Sequence, residues 1–243
     1  MKIIRPEIFR NCKNIIAATS TKIENSNKSE FGFNLSFKVG DDENLVNSNR
    51  KKFADAIGIN LEQIANLDQI HSNKIIITNQ SGNICSGDAL ISATPNIFIS
   101  VTTADCVPIL LFDETKNIVA AIHAGWKGTE LKITSETIKT LISEFSVSPK
   151  NLKAYIGASA SKCCYNVSEK VAKKFSKEVV EFYNSSFYVD LKKENKMQLL
   201  SHGLKESQIE ISNDCTICNL DFHSFRRDKE KSGRMISLIG IKN

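Results

Sequence analysis

Apolar, β-branched runs recur along the chain at 14–18, 74–78, 88–92, 97–102, 109–112, 118–122, 154–156, 186–191 and 234–241, each bounded by turn-forming residues. Such runs are the mark of short buried strands. Between them the apolar period lengthens to that of helices over 46–57, 129–145, 168–179 and a short 196–204 that has Gly203 near its end. In the second of these, Ile138, Leu141, Ile142 and Phe145 fall on one face. Strands come in clusters, as over 97–122 with a turn at 113–117, so strict strand-helix alternation fails and a doubly wound parallel sheet is disfavoured. The pattern predicts an α+β protein, a layered sandwich with mixed sheets, built as one domain over 1–243. Residues 22–50 are polar, with only short apolar patches such as Phe31-Gly32-Phe33, and read as a long loop of the kind that often carries function.

Composition narrows the class. With 243 residues, 41% of them hydrophobic, the chain can bury a full core. Lys and Arg exceed Asp and Glu by 32 to 27, too small and dispersed an excess for a nucleic-acid binder. The start, Met1-Lys2-Ile3-Ile4-Arg5, breaks its apolar residues with charge, and no later run reaches membrane-spanning length. We therefore expect a cytoplasmic protein without a membrane partner, a monomer or homodimer. There the seven cysteines stay reduced, and thiolate chemistry or metal binding becomes the question for each.

Four histidines are present, so each position is informative. His71 lies in Gln69-Ile70-His71-Ser72, just before a strand, and His123 ends another, followed by Ala124-Gly125-Trp126-Lys127-Gly128-Thr129. The two glycines give the backbone freedom before the next helix. Cys106, in Thr103-Ala104-Asp105-Cys106-Val107-Pro108, opens a hairpin that would return to His123. Two imidazoles and one thiolate make a tetrahedral zinc site with an open fourth position, which lowers the pKa of bound water to roughly 7. Spacing alone leaves two other readings open. Cys106 and the histidines would be ordinary core residues, or Cys106 would be a nucleophile with His123 as base, oriented by Asp105 or another carboxylate.

Other signals are weaker. Cys215-Thr216-Ile217-Cys218 has half the spacing of a zinc ribbon but no second pair at ribbon distance. Cys163-Cys164, taken as lying on a strand, would point apart and read as packing. His202 and His223 take surface or supporting roles by default. The basic clusters Arg50-Lys51-Lys52, Lys192-Lys193 and Arg226-Arg227 read as solvated faces, except that one of Arg226 and Arg227, beside Phe222 and Phe225, would turn inward. Dinucleotide, Walker, Gly-x-Ser-x-Gly, His-Glu-x-x-His and nucleobase-deaminase signatures are absent.

Taken together, the segments Asn34-Leu35, Val39-Gly40-Asp41-Asp42, Asn49-Arg50, Gln69-Ile70-His71-Ser72, Gly87-Asp88-Ala89-Leu90, Thr103–Pro108, His123–Thr129, Ile156-Gly157, Cys163–Val167, Cys215-Thr216, Ser224–Asp228 and Gly233-Arg234-Met235 resemble the laccase-domain family. That family has long been labelled multicopper polyphenol oxidase and is now linked to purine nucleoside phosphorylase activity. The match spans nearly the whole chain in the family's order. It implies the laccase-domain fold, of cysteine-hydrolase-like type, and a metal site on His71, Cys106 and His123. It also implies phosphorolysis of adenosine, inosine or guanosine, with adenosine deamination and methylthioadenosine cleavage as companion activities. Zinc is the expected ion; copper fits the same ligands.

The family's Thr-Thr-Arg-x-Gly-Gly-x-Ser loop is here Thr19-Ser20-Thr21-Lys22-Ile23-Glu24-Asn25-Ser26, so its arginine falls on Thr21 or, with a shift, on Lys22, and the glycine pair is gone. Lys22, Arg226 and Arg227 are then the candidates to hold phosphate, Lys22 without a bidentate fork. Three rival functions remain: a copper-dependent polyphenol oxidase, which as a multicopper enzyme needs more imidazoles than four histidines supply; a hydrolase editing peptidoglycan precursors, a role also attached to bacterial members; and a scaffold with a vestigial site.

Overall fold

The computed structural model describes residues 1–23 and 29–243. Strands follow in the order β1 (Ile3–Ile4), β2 (Ile15–Ser20), β3 (Ile64–Asp68), β4 (Ile75–Ile77), β5 (Gly82–Ser86), β6 (Ala89–Ser92), β7 (Phe98–Thr103), β8 (Val107–Asp113), β9 (Ile118–Ala124), β10 (Leu152–Ile156), β11 (Asn166–Val167), β12 (Val180–Tyr183), β13 (Ser186–Val189), β14 (Ile209–Ile211) and β15 (Met235–Ile241). Two six-stranded mixed sheets run β1-β2-β15-β7-β3-β5 and β14-β10-β8-β9-β6-β4, and a small third sheet runs β11-β13-β12.

Side-chain alternation explains why the central runs are apolar throughout. In β8, Leu110 and Phe112 pack with Ala17, Ile99, Val101 and Ile239 of the first sheet, whereas Ile109 and Leu111 pack against helices. Both faces of the second sheet are therefore covered, and period 2 gives way to continuous hydrophobicity. The layers are a helix α1 (Glu43–Ile57), the first sheet, the second sheet, and the helices α3 (Ile133–Phe145) and α5 (Leu191–Ser201). This is the mixed-sheet layered sandwich that the hydrophobic pattern predicts.

Several elements depart from expectation. Residues 22–50 do not form one loop, since α1 begins at Glu43 with the Asp42 carboxylate accepting from the amides of Asn44 and Leu45; Glu24, Asn25 and Ser26 lie outside the described residues. The helix expected over 129–145 is two, α2 (Trp126–Glu130) and α3, broken at Lys132, whose φ is 62°. Gln198 and Asn195 of α5 bond the carbonyl and hydroxyl of Thr129, so side chains satisfy the interrupted helix end. Of 168–179 only α4 (Glu169–Ala172) is α-helical; tighter turns follow that bring Phe175 and Val179 onto the core. No helix among the described residues is long and apolar enough to cross a membrane.

Candidate functional site

The chain passes from the first sheet to the second three times in succession, at β3 to β4, β5 to β6 and β7 to β8. These crossings carry His71, Asp88 and Cys106. The fourth participant, His123, comes from β9, whose pairing with β8 sets His123 opposite Pro108 and so beside Cys106. One nitrogen of each imidazole and the Cys106 sulfur lie within 4.8 Å of one another, and the two rings meet edge to face at 4.9 Å.

Asp88 organises the group. Fully buried, its carboxylate accepts from His71 N at 3.0 Å, Ser72 N at 2.6 Å, Ser72 Oγ at 2.7 Å and His123 Nδ1 at 2.8 Å. Burial opposes its ionisation, yet the bonds from His123 and Ser72 outweigh this and hold the carboxyl down at about 2. With the proton on Nδ1, Nε2 of His123 presents its lone pair to the cluster. Burial likewise opposes charge on Cys106 and His123, but their attraction dominates, drawing the thiol down to about 6 and the imidazole up to about 9. The attraction favours a thiolate–imidazolium pair, in which Nε2 carries a proton that a metal bound at the cluster would displace.

The backbone is held to this purpose. His71 has φ 58° and Asp105 φ 84°, left-handed conformations costing roughly 1–2 kcal/mol each. The amide of His71 is anchored on Asp88, and the Asp105 carboxylate accepts from Thr216 Oγ1 and the Arg226 amide at 2.7 Å each. Gln69 exchanges hydrogen bonds with Thr102, bracing the His71 loop against β7. Gly125 and Gly128 do not have left-handed φ. Their role is close approach: a Cβ on Gly125 would sit 3.0 Å from Cys106 Sγ and 3.2 Å from His71 Cδ2, and one on Gly128 3.0 Å from Ser72 O.

A cavity of about 510 Å³ opens beside His71, Cys106 and His123, within the range of small-molecule sites. Among its cations Lys38 pairs with Asp68. Arg50 and Arg234 have no ion pair among the described residues; they donate to backbone carbonyls (Arg50 also to Asn66) and lie over the Phe37 and Phe225 rings at 5.5 and 5.7 Å. Burial lowers the pKa of both guanidiniums.

Several sequence expectations need correction. Asp88, not Asp105, orients His123. Lys22 pairs with Asp228 at 3.1 Å, and Arg227 spends its guanidinium on Asp228 and on the carbonyls of Thr216, Ile217 and Phe222. Arg226 stacks on Tyr165 at 4.9 Å and bonds Asn166. None of the three lines the cavity; Arg227 is indeed the inward member of its pair. His223 is buried, with Nε2 on Phe33 O and Nδ1 without a partner among the described residues. Arg50 is no solvated residue, and its signal was present: Val46, Arg50, Phe53 and Ile57 form one buried helical stripe.

Known proteins agree with this architecture. The purine nucleoside phosphorylase YlmD of Bacillus subtilis is 31% identical, over 96% of this chain and 91% of its own length. The purine nucleoside phosphorylase CA_C1699 of Clostridium acetobutylicum is 34% identical over 84% and 86%. The crystal structure of the hypothetical protein YfiH of Bacillus licheniformis superposes with a TM-score of 0.90 at 30% identity, covering 96% of this chain and 94% of that one. The profile of the multi-copper polyphenol oxidoreductase laccase family matches residues 16–242, from β2 to the end of β15, and it is to this family that the chain belongs.

Proposed function

We propose that the chain is a zinc-dependent purine nucleoside phosphorylase, acting as one catalytic domain on adenosine, inosine or guanosine, with adenosine deamination and methylthioadenosine phosphorolysis at the same site. The observation that carries this reading is the pairing, on one cavity, of the His71-Cys106-His123 donor set with two guanidiniums, Arg50 and Arg234, that have no carboxylate partner among the described residues. A buried cation without a counterion is poised for an anion, and the relatives' names supply the reaction.

The donor set fits zinc: one sulfur and two nitrogens converge, a carboxylate stands behind one imidazole, and the cavity leaves the remaining side open. When bound, the ion supplies Lewis-acid charge at the reacting centre. Phosphorolysis requires a phosphate oxygen to attack ribose C1′ while the C1′–N9 bond breaks and its electron pair leaves with the purine. Arg50 and Arg234 are the groups that would hold the phosphate, and the Phe37 and Phe225 rings, each lining the cavity with a guanidinium over it, supply the apolar surface beside them. Binding both reactants in one cavity replaces a bimolecular encounter with a positioned one.

The test is phosphate-dependent release of base and ribose 1-phosphate from adenosine and inosine by wild type and Cys106→Ala. Turnover that needs phosphate and disappears in the variant is expected; full activity in the variant, or phosphate-independent release, overturns the reading. The family description favours one alternative, a copper oxidase at the same ligands. Only His202 and His223 remain for further copper centres, and neither joins a potential metal-binding group among the described residues. Release of a misincorporated serine from a nucleotide-linked muramoyl substrate would mark the peptidoglycan-editing alternative.

A further inference from the structure

The half-ribbon Cys215-x-x-Cys218 acquires its second pair only in the fold. Cys163 and Cys164 do not lie on a strand but in a turn at 162–164, which aims adjacent side chains the same way, with their sulfurs 3.5 Å apart. The turn at 215–218 faces it through a bridge between Ser159 and Cys215. The four sulfurs, all of free cysteines, lie within 4.8 Å of one another. Four thiolates at 2.3 Å around a tetrahedral zinc stand about 3.8 Å apart, so a small contraction completes the shell. A multi-iron cluster would hold its thiolates farther apart than this.

Two further features point to a cation. The amide of Ser161 donates to Cys215 Sγ at 3.4 Å, a bond that favours negative charge on that sulfur. Beside the four thiols the ammonium of Lys192 is buried and held on the carbonyls of Ser212 and Asp214 at 2.8 and 2.7 Å. It is placed to offset part of the double negative charge that four thiolates around a divalent ion would leave.

We propose that Cys163, Cys164, Cys215 and Cys218 bind a second zinc ion as a tetrathiolate centre, separate from the His71-Cys106-His123 site. On binding, the thiols release their protons to solvent. The ion would clasp two loops that lead toward the first site: Thr216, next to Cys215, donates to Asp105 beside Cys106, and Tyr165, next to Cys164, carries the Arg226 guanidinium, whose backbone amide also donates to Asp105. The centre is a positioning device for the first site and takes no part in its chemistry.

The experiment is zinc analysis and native mass spectrometry of the full chain, purified with a thiol reductant and without chelator, for wild type, Cys106→Ala, Cys163→Ser and Cys218→Ser. About two zinc ions per chain are expected in wild type and about one in each variant. Refilling wild type with cobalt should give the intense sulfur-to-metal absorption of four thiolates, lost in Cys218→Ser although circular dichroism shows a folded chain. About one ion, lost in the Cys163 and Cys218 variants but kept in Cys106→Ala, would uphold this centre while sinking the first. Zinc content unchanged by Cys163→Ser and Cys218→Ser, or a disulfide among these four cysteines in freshly isolated protein, would overturn the proposal.

Discussion

Asp88→Asn is the most discriminating single change in this protein. The Asp88 carboxylate takes four hydrogen bonds, and at least two of their donors are backbone amides, of His71 and Ser72, which can never accept. An asparagine offers one acceptor oxygen and one amino group. If the amino group faces Ser72, the amide of Ser72 loses its partner. If it faces His71 and His123, the His71 amide is stranded, and His123 must accept at Nδ1, which moves its proton to Nε2 and blocks the nitrogen that points at His71 and Cys106. One stranded amide costs about 1–3 kcal/mol. Independently, a carboxyl titrating near 2 in the fold against 3.8 in its ordinary state contributes about 2 kcal/mol to folding, at about 1.4 kcal/mol per pH unit. The two figures overlap, so the metal-free variant should be less stable by about 2–3 kcal/mol, a fall in Tm of roughly 5–10 °C for a chain of this size. Because the folded pKa is depressed, this contribution is complete above 3.8 and vanishes toward pH 2, so the variant should show a flatter acid limb. Loss of the carboxylate behind His123, a ligand of the proposed zinc, should lower metal affinity about 10–100-fold. Competition with a chromophoric chelator reads the affinity, and thermal unfolding of the apo protein reads the stability. Wild-type values in both would refute the role assigned to Asp88.

Three further outcomes follow from the geometry. Gly125→Ala puts a Cβ 3.0 Å from Cys106 Sγ; it should weaken metal binding at least tenfold while the chain stays folded, and unchanged zinc content after dialysis would contradict the close-approach argument. Arg50→Lys keeps charge but loses the planar fork that reaches Leu35 O and Asn66; together with Arg234→Ala it should raise the KM for phosphate about tenfold or more with a smaller effect on the nucleoside, and an unaltered phosphate KM in both would remove them from the site. His223 is driven from its ordinary 6.5 to about 4, chiefly by burial. The unfolded chain therefore binds the extra proton first, so stability is complete above about 6.5 and declines by up to about 3 kcal/mol as the pH falls to 4. His223→Asn should flatten that slope in denaturant titrations at pH 7 and pH 4.5.

The layers were legible in the order of residues along the chain. Runs such as Val107–Asp113 and Ile118–Ala124 are apolar on both alternating sets of positions, which only a strand covered on two faces can use, and the stripe from Val46 to Ile57 can only be a helix lying on a sheet. The candidate donors His71, Cys106 and His123 were legible as well, because each sits where a buried run meets turn residues. Short strands such as Ile64–Asp68 and Gly82–Ser86 were not, since they are half polar and gain their order from neighbours in the sheet. Which polar groups meet is settled by the fold alone. Asp88 reaches His123 across 35 positions, Arg50 joins Arg234 on one cavity, and Cys163-Cys164 comes to face Cys215 and Cys218 across some 50 positions. Hydrophobic patterning is a local property with a fixed period, whereas the partner of a buried charge or thiol is set by which crossings between sheets are brought side by side, and no spacing along the chain encodes that.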